Sequence, residues 1–507
     1  MIKNFTINKI HFSFHLIFIT IFFLSLLVYL PNTQEDAYIG FRYAENFANG
    51  HGLTFNNGEY VEGYTNFLFI ILLSFFYKIG LATTLASKII GVISSLIILL
   101  IIPRIIFYLT NGKCSAMSQY MPSICLSFYP AYTYWTTSGM ETTFFASLLV
   151  LGFYFALVKN NNLLISSLFL ILATLVRMEG ILYFISIVLA YLAHNYVAIR
   201  KKDKLYLKQL LLLIIPYILA ISIWELWRLS YYGSLLPNTY FIKMPAPDQA
   251  LPISRGITYV ANFWNSIGGI SVLLMSSFFI FGRYPVFSKV FYVFIQLLWH
   301  LYIRESNGDW MVLHRFYIHL VPYIFIFLSL SIDSIIKNLK ALNSFLIAYT
   351  IGFSLYSIYH YRNIQYHNTI EVQEEVHVGE WLMNNVDNNK TLAVLNAGAL
   401  PYFSKLKTID YYGLMNAELA KMPLKEVSID MDSDGIKETK RMERFTPNWL
   451  LDQKPDLIEI PGKIVEGKLT TYAPLAKLLF DNDRFKNMYS INPLISIGQC
   501  NIYKAVY

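Results

Sequence analysis

The stretch QEDAYIGFRYAENFANGHGLTFNNGEYVEGYTN, residues 34–66, lies directly after the first long apolar run of the chain. It is dense in acids, amides, aromatics and glycines, and it opens with the carboxylate pair Glu35-Asp36. A segment that only joined two membrane helices would rarely need this length or this mixture. Ionisable groups beside a bilayer are costly and usually functional. We therefore interpret residues 31–66 as the catalytic loop of a membrane enzyme that works at the outer surface of the bilayer.

The composition of the rest of the chain is that of a membrane protein. Hydrophobic residues make up 55% of the 507 residues and charged residues 14%, and the mean hydropathy is +0.45. Apolar runs of about 16 to 24 residues recur as far as residue 358, which is the length that crosses a bilayer as a helix. From about residue 361 the sequence is polar. We predict a polytopic α-helical membrane domain, residues 1–360, and a soluble C-terminal α/β domain, residues 361–507.

The apolar runs predict about eleven transmembrane helices. We place them at about residues 12–30, 85–109, 119–134, 141–158, 162–176, 180–198, 209–229, 263–282, 287–303, 315–332 and 342–358. The run 66–80 is ambiguous, and loop charge decides it. If this run is an interfacial helix, the loops on one side of the membrane are almost purely basic, and their only acids are Asp203 and Asp333. Such an excess of lysine and arginine is typical of cytoplasmic loops. The N-terminus is then cytoplasmic and the C-terminal domain lies outside.

This topology gathers the polar clusters at the outer ends of the predicted spans. They are residues 34–66, 138–141, 177–180, Glu225 with Arg228, residues 236–243, and residues 307–310 with His314 and Arg315. The inner loops hold little besides lysine and arginine. Because the outer clusters come from distant parts of the sequence and meet at one surface, we expect them to form one site.

The formal net charge of +8 raises the question of a nucleic-acid partner. The soluble tail holds nearly equal numbers of acidic and basic residues, so the excess charge lies in short membrane-domain loops, where it orients the helices. We therefore expect membrane lipids and no nucleic acid as partners. The three cysteines form neither a disulfide framework nor a metal cluster.

The tail alternates helical and strand patterns. A helix is predicted at residues 371–385, with strands at 391–395, 408–410 and 456–460. Residues 430–443 are rich in charge, and we expect a surface loop there.

Several segments carry a family resemblance. The first loop, EDAYIGFRYAENFANGHGLTFNNGEYVEGYTN, resembles the C-type (GT-C) membrane glycosyltransferases, and most of all the terminal β-1,2-arabinofuranosyltransferase group and its bacterial relatives. The supporting motifs are SGMETTFFA (138–146), ATLVRMEG (173–180), YYGSLLPNTYFIK (231–243), NGDWMVLHRF (307–316) and NAGALPYFSKLKTIDYYGL (396–414). Many such proteins begin the loop with two aspartates. Here the pair is Glu35-Asp36, so Asp36 is the better-matched base.

The resemblance implies inverting transfer of a sugar, arabinofuranose in the nearest group, from a polyprenyl-phosphate donor to a cell-envelope glycan or lipid at the outer face of the bacterial cytoplasmic membrane. Asp36 would be the catalytic base, since a carboxylate must take the acceptor proton. Cations must stabilise the leaving phosphate. The candidates are Lys243 and Arg315, which we prefer, with Arg42, Arg177, His314 and Arg228. Sugar or acceptor ligands would be Glu35, Glu62, Glu141, Glu179, Asn238 and Asp309. No cofactor is certain, although Glu35 and Asp36 could share a divalent cation.

Each assignment has a structural alternative. Asp36 could cap a short interfacial helix, Arg177 and Glu179 could be a structural pair, and Lys243 could contact lipid headgroups. His314 could be a satisfied interfacial histidine, and Asp309 could belong to a turn.

The chain as a whole has two alternatives. A transporter or flippase of a lipid-linked envelope intermediate predicts inverted repeats and polar groups at mid-membrane depth, whereas the sequence shows no repeat and places its polar clusters at one surface. A non-catalytic receptor would leave the outer clusters unexplained.

Overall fold

The computed structural model describes residues 9–158, 162–243, 253–306, 308–309, 311–362, 367–423, 425–431, 436–465, 468–471, 473–490 and 492–506. The protein is mostly helical, with a small C-terminal sheet, as predicted. The helices up to residue 361 are Lys9–Tyr29, Ala37–Ala48, Phe67–Lys78, Thr83–Leu109, Ala116–Phe128, Pro130–Thr137, Thr142–Leu157, Leu163–Val176, Gly180–His194, Tyr196–Arg200, Lys204–Tyr232, Asn238–Lys243, Ile253–Ser266, Ile270–Ser277, Val286–Glu305, Val321–Ile335 and Leu339–Tyr361, with 3-10 turns at Phe278–Phe281 and Arg315–Tyr317.

Within the described residues, 5 helices are long and apolar enough to cross a membrane, or up to 7 if each of two bent pairs is one span. Four shorter apolar helices accompany them: Phe67–Lys78, Leu163–Val176, Gly180–His194 and Val321–Ile335. The protein is therefore a multi-pass membrane protein, while the number of about eleven spans stays a prediction. Helix Val321–Ile335 forms the centre of the bundle, since every residue from Val321 to Ile332 is buried.

Two predicted spans are broken in the structure. The run 119–134 divides at Pro130, which has no backbone N–H and cannot continue the preceding helix. The run 263–282 divides at Gly268 and Gly269, whose φ angles of 115° and 78° suit glycine. The helices on either side of these glycines are bent by 79°. The sequence pattern located the apolar helical segments, but it did not identify the residues at which the helices break.

The predicted catalytic loop contains a helix of its own, Ala37–Ala48, which we call the loop helix. Residues 37 to 45 are all buried, so this part of the helix is enclosed by protein on every side, while its last turn is partly exposed. The predicted helix at 66–80 forms as Phe67–Lys78 and packs against the loop helix, where Ile70 lies near Gly40. Its 12 residues fall short of the roughly 20 that cross a bilayer. Its interfacial placement stays a prediction.

The tail is an α/β domain. Helix His367–Asn385 and the three predicted strands are present. The strands in chain order are β1 (Thr391–Val394), β2 (Lys407–Asp410), β3 (Lys425–Met431), β4 (Ile436–Glu443), β5 (Leu457–Pro461), β6 (Lys463–Val465), β7 (Lys468–Thr470), β8 (Ile495–Ile497) and β9 (Cys500–Lys504). Short helices lie at Ala399–Ser404, Ala417–Lys421, Pro447–Asp452, Pro474–Phe480 and Asp483–Met488.

The main sheet of the tail has the order β2-β1-β5-β9-β8. Strands β1, β2 and β5 are parallel, β9 pairs antiparallel with β5, and β8 pairs antiparallel with β9 at the edge of the sheet. The surface loop predicted at 430–443 is wrong for most of its length, because β3 and β4 pair as an antiparallel hairpin there. The charge-rich sequence gave no strand pattern, although strands can form there because backbone groups, not side chains, make the hydrogen bonds of a hairpin.

The tail lies directly on the first loop. Asn56 bridges the two, because its Nδ2 donates to Thr408 O at 2.8 Å and its Oδ1 accepts from Thr408 N at 3.0 Å. Asn238 donates from its amide to Gly413 O and Leu414 O, each at 2.9 Å. The tail is therefore part of the wall around the candidate site.

Candidate active site

Asp36 is the residue immediately before the loop helix. Its backbone is in N-cap position, but its carboxylate makes no capping hydrogen bond to that helix, so the capping alternative lacks its expected contact. The neighbouring Gln34 N donates to Ser138 O at 2.8 Å. Gly139 packs so closely on Ala37 that an added Cβ would lie 3.1 Å from it. The motif at 138–141 is thus brought beside the candidate base.

Glu35 faces the tail. Its Oε1 accepts hydrogen bonds from the backbone N–H groups of Gly398 and Ala399, and its carboxyl group also hydrogen-bonds to Asp36. Burial, the nearby Glu375 and Asp36 together raise the pKa of Glu35 well above its usual range. A neutral Glu35 carboxyl group fits this geometry, since its carbonyl oxygen accepts from the two N–H groups while its O–H donates to Asp36.

Two further buried acids extend from Glu35 into the tail. Glu375 accepts a hydrogen bond from the Asn396 amide at 3.1 Å, and Glu459 accepts one from Leu395 N at 3.0 Å. Burial and the proximity of Glu459 raise the pKa of Glu375. The sequence analysis missed both acids, because nothing in their local sequence separates them from the other charged residues of the tail.

Arg177 joins three predicted site residues into one network. Its guanidinium binds Glu141 at 2.7 Å and Glu179 at 2.8 Å. Glu141 also accepts from Asn66 Nδ2 at 2.9 Å, and Glu179 accepts from Tyr302 OH at 2.8 Å. The predicted convergence of distant clusters is therefore present in this part of the structure. Tyr302 was missed because it lies within the predicted span 287–303, where aromatic side chains are expected to pack in the membrane.

Arg315 lies beside this network. Its Nε binds Asp309 at 2.8 Å, and Phe316 lies between the two arginines, its ring centre 5.4 Å from the Arg177 guanidinium and 5.3 Å from that of Arg315. Within the described part of the chain, the two terminal nitrogens of Arg315 have no hydrogen-bond partner. Arg315 is thus a cation whose terminal N–H groups can bind an oxyanion.

Arg228 and Glu62, predicted to bind phosphate and acceptor respectively, are paired with each other. Their nitrogen and oxygen atoms approach to 2.8 Å, with side-chain exposures of 0% and 5%. Arg228 also binds Glu225 at 2.8 Å and donates to Leu235 O. This arrangement ties the first loop to helix Lys204–Tyr232 and leaves Arg228 little capacity for a ligand.

Arg42 is likewise committed to protein atoms. It donates to Phe55 O at 2.9 Å, Pro401 O at 2.7 Å and Leu406 O at 2.8 Å, and also to Asn56 and Thr408 side-chain oxygens. Burial lowers the pKa of Arg42 to about 10, so it stays charged at neutral pH. The structure assigns it the role of a connection between loop and tail.

Two predicted phosphate ligands remain. The ring of the half-buried His314 packs against the rings of Tyr259 and Phe263, and desolvation lowers its pKa to about 4, so a neutral imidazole replaces the expected cation. The side chain of Lys243 lies outside the described residues. Among the residues that the structure describes, no group of three or more His, Cys, Asp or Glu side chains is arranged to hold a metal ion.

Comparisons with known proteins place this geometry in context. Residues 362–491 match a sequence family described only as a domain of unknown function (DUF8728). No curated protein sequence matches the chain.

Among solved structures, ArnT from Cupriavidus metallidurans bound to undecaprenyl phosphate is similar, with a TM-score of 0.52 and 11% identity over 79% of this chain and 85% of that one. Its apo state gives a TM-score of 0.53 at 9% identity, with the same two coverages. Arabinofuranosyltransferase AftD from Mycobacteria gives 0.53 at 11% identity, covering 96% of this chain and 40% of that one. At these identities the likeness concerns the fold, and the fold is that of the GT-C membrane glycosyltransferases.

Proposed function

We propose that the protein is an inverting glycosyltransferase that moves a sugar from a polyprenyl-phosphate donor to a cell-envelope glycan or lipid. The reaction takes place at the outer face of the bacterial cytoplasmic membrane, with the N-terminus in the cytoplasm and the tail outside. The observation that carries the proposal is the placement of Asp36 beside the 138–141 segment, from which Glu141 connects to Arg177. A carboxylate and a cationic network, brought together from distant segments, are what this reaction requires.

Asp36 acts as the base. The acceptor hydroxyl oxygen attacks the anomeric carbon of the donor, Asp36 takes the hydroxyl proton, and the bond from that carbon to the phosphate oxygen breaks. The products are the new glycosidic bond and a polyprenyl phosphate monoester, which carries one more negative charge than the donor. Arg315, whose terminal nitrogens have no hydrogen-bond partner among the residues that the structure describes, stabilises this developing charge. Arg177 keeps Glu141 and Glu179 ionised for contacts with sugar hydroxyls.

Glu35 positions the base. As a neutral carboxyl group it donates to Asp36, which favours the ionised form of Asp36 and fixes its orientation. The same side chain is held by the Gly398 and Ala399 N–H groups, so the tail fixes the geometry of the base indirectly.

The donor class is supported by two observations. The ArnT structure, which shares the fold, is bound to undecaprenyl phosphate. In this chain the apolar helix Phe67–Lys78 packs on the loop helix and can form one wall of a groove for a polyprenyl chain. The sequence resemblance favours arabinofuranose as the sugar. The tail, which touches the first loop at several points, is proposed to bind the acceptor.

Mass-spectrometric profiling of envelope glycans and glycolipids in the host tests the proposal. The strains are the wild type, a gene deletion, and the deletion complemented with wild-type, Asp36→Asn or Asp387→Asn protein. The last substitution changes an exposed aspartate and serves as the control. We expect one sugar to be lost in the deletion, and to be restored by wild type and Asp387→Asn but not by Asp36→Asn at equal membrane abundance. An identical profile in every strain would refute the transferase and favour transport of a lipid-linked intermediate.

A further inference from the structure

A polar cavity of about 400 Å³ lies where the first loop meets the tail. Its walls come from the second half of the loop helix, from Phe55 to Asn57, from Tyr77, and from Asn388, Lys405 and Lys407 of the tail. The volume is in the range of small-molecule sites. At about 1.5 Å per helical residue, the lining along the loop helix runs from Arg42, about 9 Å from Asp36, to Asn49, about 20 Å from it. The cavity thus extends along the loop helix away from the candidate base.

The lining is rich in amides. Asn49, Asn57 and Asn388 line the cavity, and their side chains have no hydrogen-bond partner among the residues that the structure describes. Each amide offers donors and an acceptor, which matches the hydroxyl groups of a sugar. By contrast, Asn46 and Asn56 in the same wall are already bonded to backbone groups and hold the wall in shape.

The cavity also carries positive charge. Arg42, at its base, is 8% exposed and donates only to neutral oxygens, with no ion pair within the described residues. At the rim, Lys405 pairs with Glu45 and Lys407 with Glu59, each at 2.9 Å, and the lysine side chains are 48% and 58% exposed. Two carboxylates therefore face three cations, which favours a ligand with an anionic group.

We propose that this junction cavity binds a hydroxyl-rich saccharide that carries a carboxylate or phosphate group, as the part of the acceptor remote from the reacting hydroxyl. The identification of this saccharide as the acceptor rests on the proposed glycosyl transfer, whereas the binding itself does not require catalysis. The ligand is recognised by the free amides and by the excess positive charge together. The tail then selects the acceptor by closing one side of the cavity.

Equilibrium binding to the purified full-length protein in nanodiscs tests the proposal. The probes are tetragalacturonate, which has hydroxyls and carboxylates, maltotetraose, which has hydroxyls alone, and glycerol phosphate as a lipid-headgroup fragment. The test variant combines Asn57→Ala, Asn388→Ala and Lys407→Gln, all at exposed positions. The control combines Asn492→Ala and Lys486→Gln, which are exposed residues outside the cavity lining.

We expect tetragalacturonate to bind wild type more tightly than maltotetraose does, and to bind the test variant at least about tenfold more weakly, since several polar contacts are lost. The control should match wild type. Equal binding to wild type and test variant, or no binding of tetragalacturonate, would overturn the proposal. Glycerol phosphate binding as tightly as tetragalacturonate would assign the cavity to a lipid headgroup and would also overturn it.

The same measurement on Asp36→Asn separates the two proposals. If that variant binds tetragalacturonate as tightly as wild type and the cavity variant does not, saccharide binding in the cavity holds, even where glycan profiling gives an identical profile in every strain and the transferase proposal fails.

Discussion

Replacing Glu35 by glutamine is expected to preserve both fold and activity, because the structure holds this side chain in its neutral form. Glutamine keeps a carbonyl oxygen for the Gly398 and Ala399 N–H groups and an N–H donor for Asp36. Alanine removes the acceptor from two backbone donors. Since each unsatisfied buried donor costs about 1–3 kcal/mol, Glu35→Ala should lose about 2–6 kcal/mol and misplace the base.

The pH dependence of stability gives the sharper test. The pKa of Glu35 is raised in the folded chain, whereas the unfolded value is near 4.5. Between these two values the folded protein binds the proton and the unfolded chain does not, so wild-type stability falls as pH rises. The slope is up to about 1.4 kcal/mol per pH unit. Glu35→Gln lacks this contribution, so its stability relative to wild type should increase with pH through the same window.

Thermal unfolding of purified protein between pH 5 and 7, followed by tryptophan fluorescence, measures this difference. Glu380→Gln, an exposed acid on helix His367–Asn385, is the control and should follow wild type at each pH. Activity is read from the restored glycan in the complemented deletion strain. If Glu35→Gln is as inactive as Asp36→Asn, or if its stability falls with pH as steeply as that of wild type, Glu35 is charged and the reasoning is wrong.

Three further substitutions probe other parts of the site. Gly139→Ala should abolish activity, because the added Cβ would lie 3.1 Å from Ala37 at the start of the loop helix. Gly50→Ala is the control, since Gly50 has a similar φ but open space around it, so that the added Cβ only strains the backbone. Glycan profiles at matched protein abundance compare the two variants. Arg228→Met should cost about 3–5 kcal/mol by leaving the buried Glu62 carboxylate unpaired. Arg304→Met breaks an exposed pair and should change the melting temperature little. Arg42→Met should loosen the tail from the loop, and limited proteolysis should then cleave between the two domains faster than in wild type.

The fold was largely predictable because its signals are local. Long apolar runs indicated membrane helices, and their positions coincide with helices in the structure. The change to polar composition near residue 361 located the α/β tail. Breaks inside an apolar run, as at Pro130 and Gly268, depend on single residues that a hydropathy average does not register.

The candidate site was predictable only in part. The sequence identified which segments carry the polar residues, and it singled out Asp36 through the loop that contains it. It could not show that Arg228 is paired with Glu62, far away in the chain, or that Arg42 is bonded to carbonyls of the tail. Nor could it show that, within the described residues, the terminal nitrogens of Arg315 have no partner. Residue type and spacing determine which side chains are able to bind an anion. Tertiary packing decides which of these side chains are already paired. The partner of a buried charge comes from a distant segment of the chain, and no local sequence pattern shows which segments will be in contact.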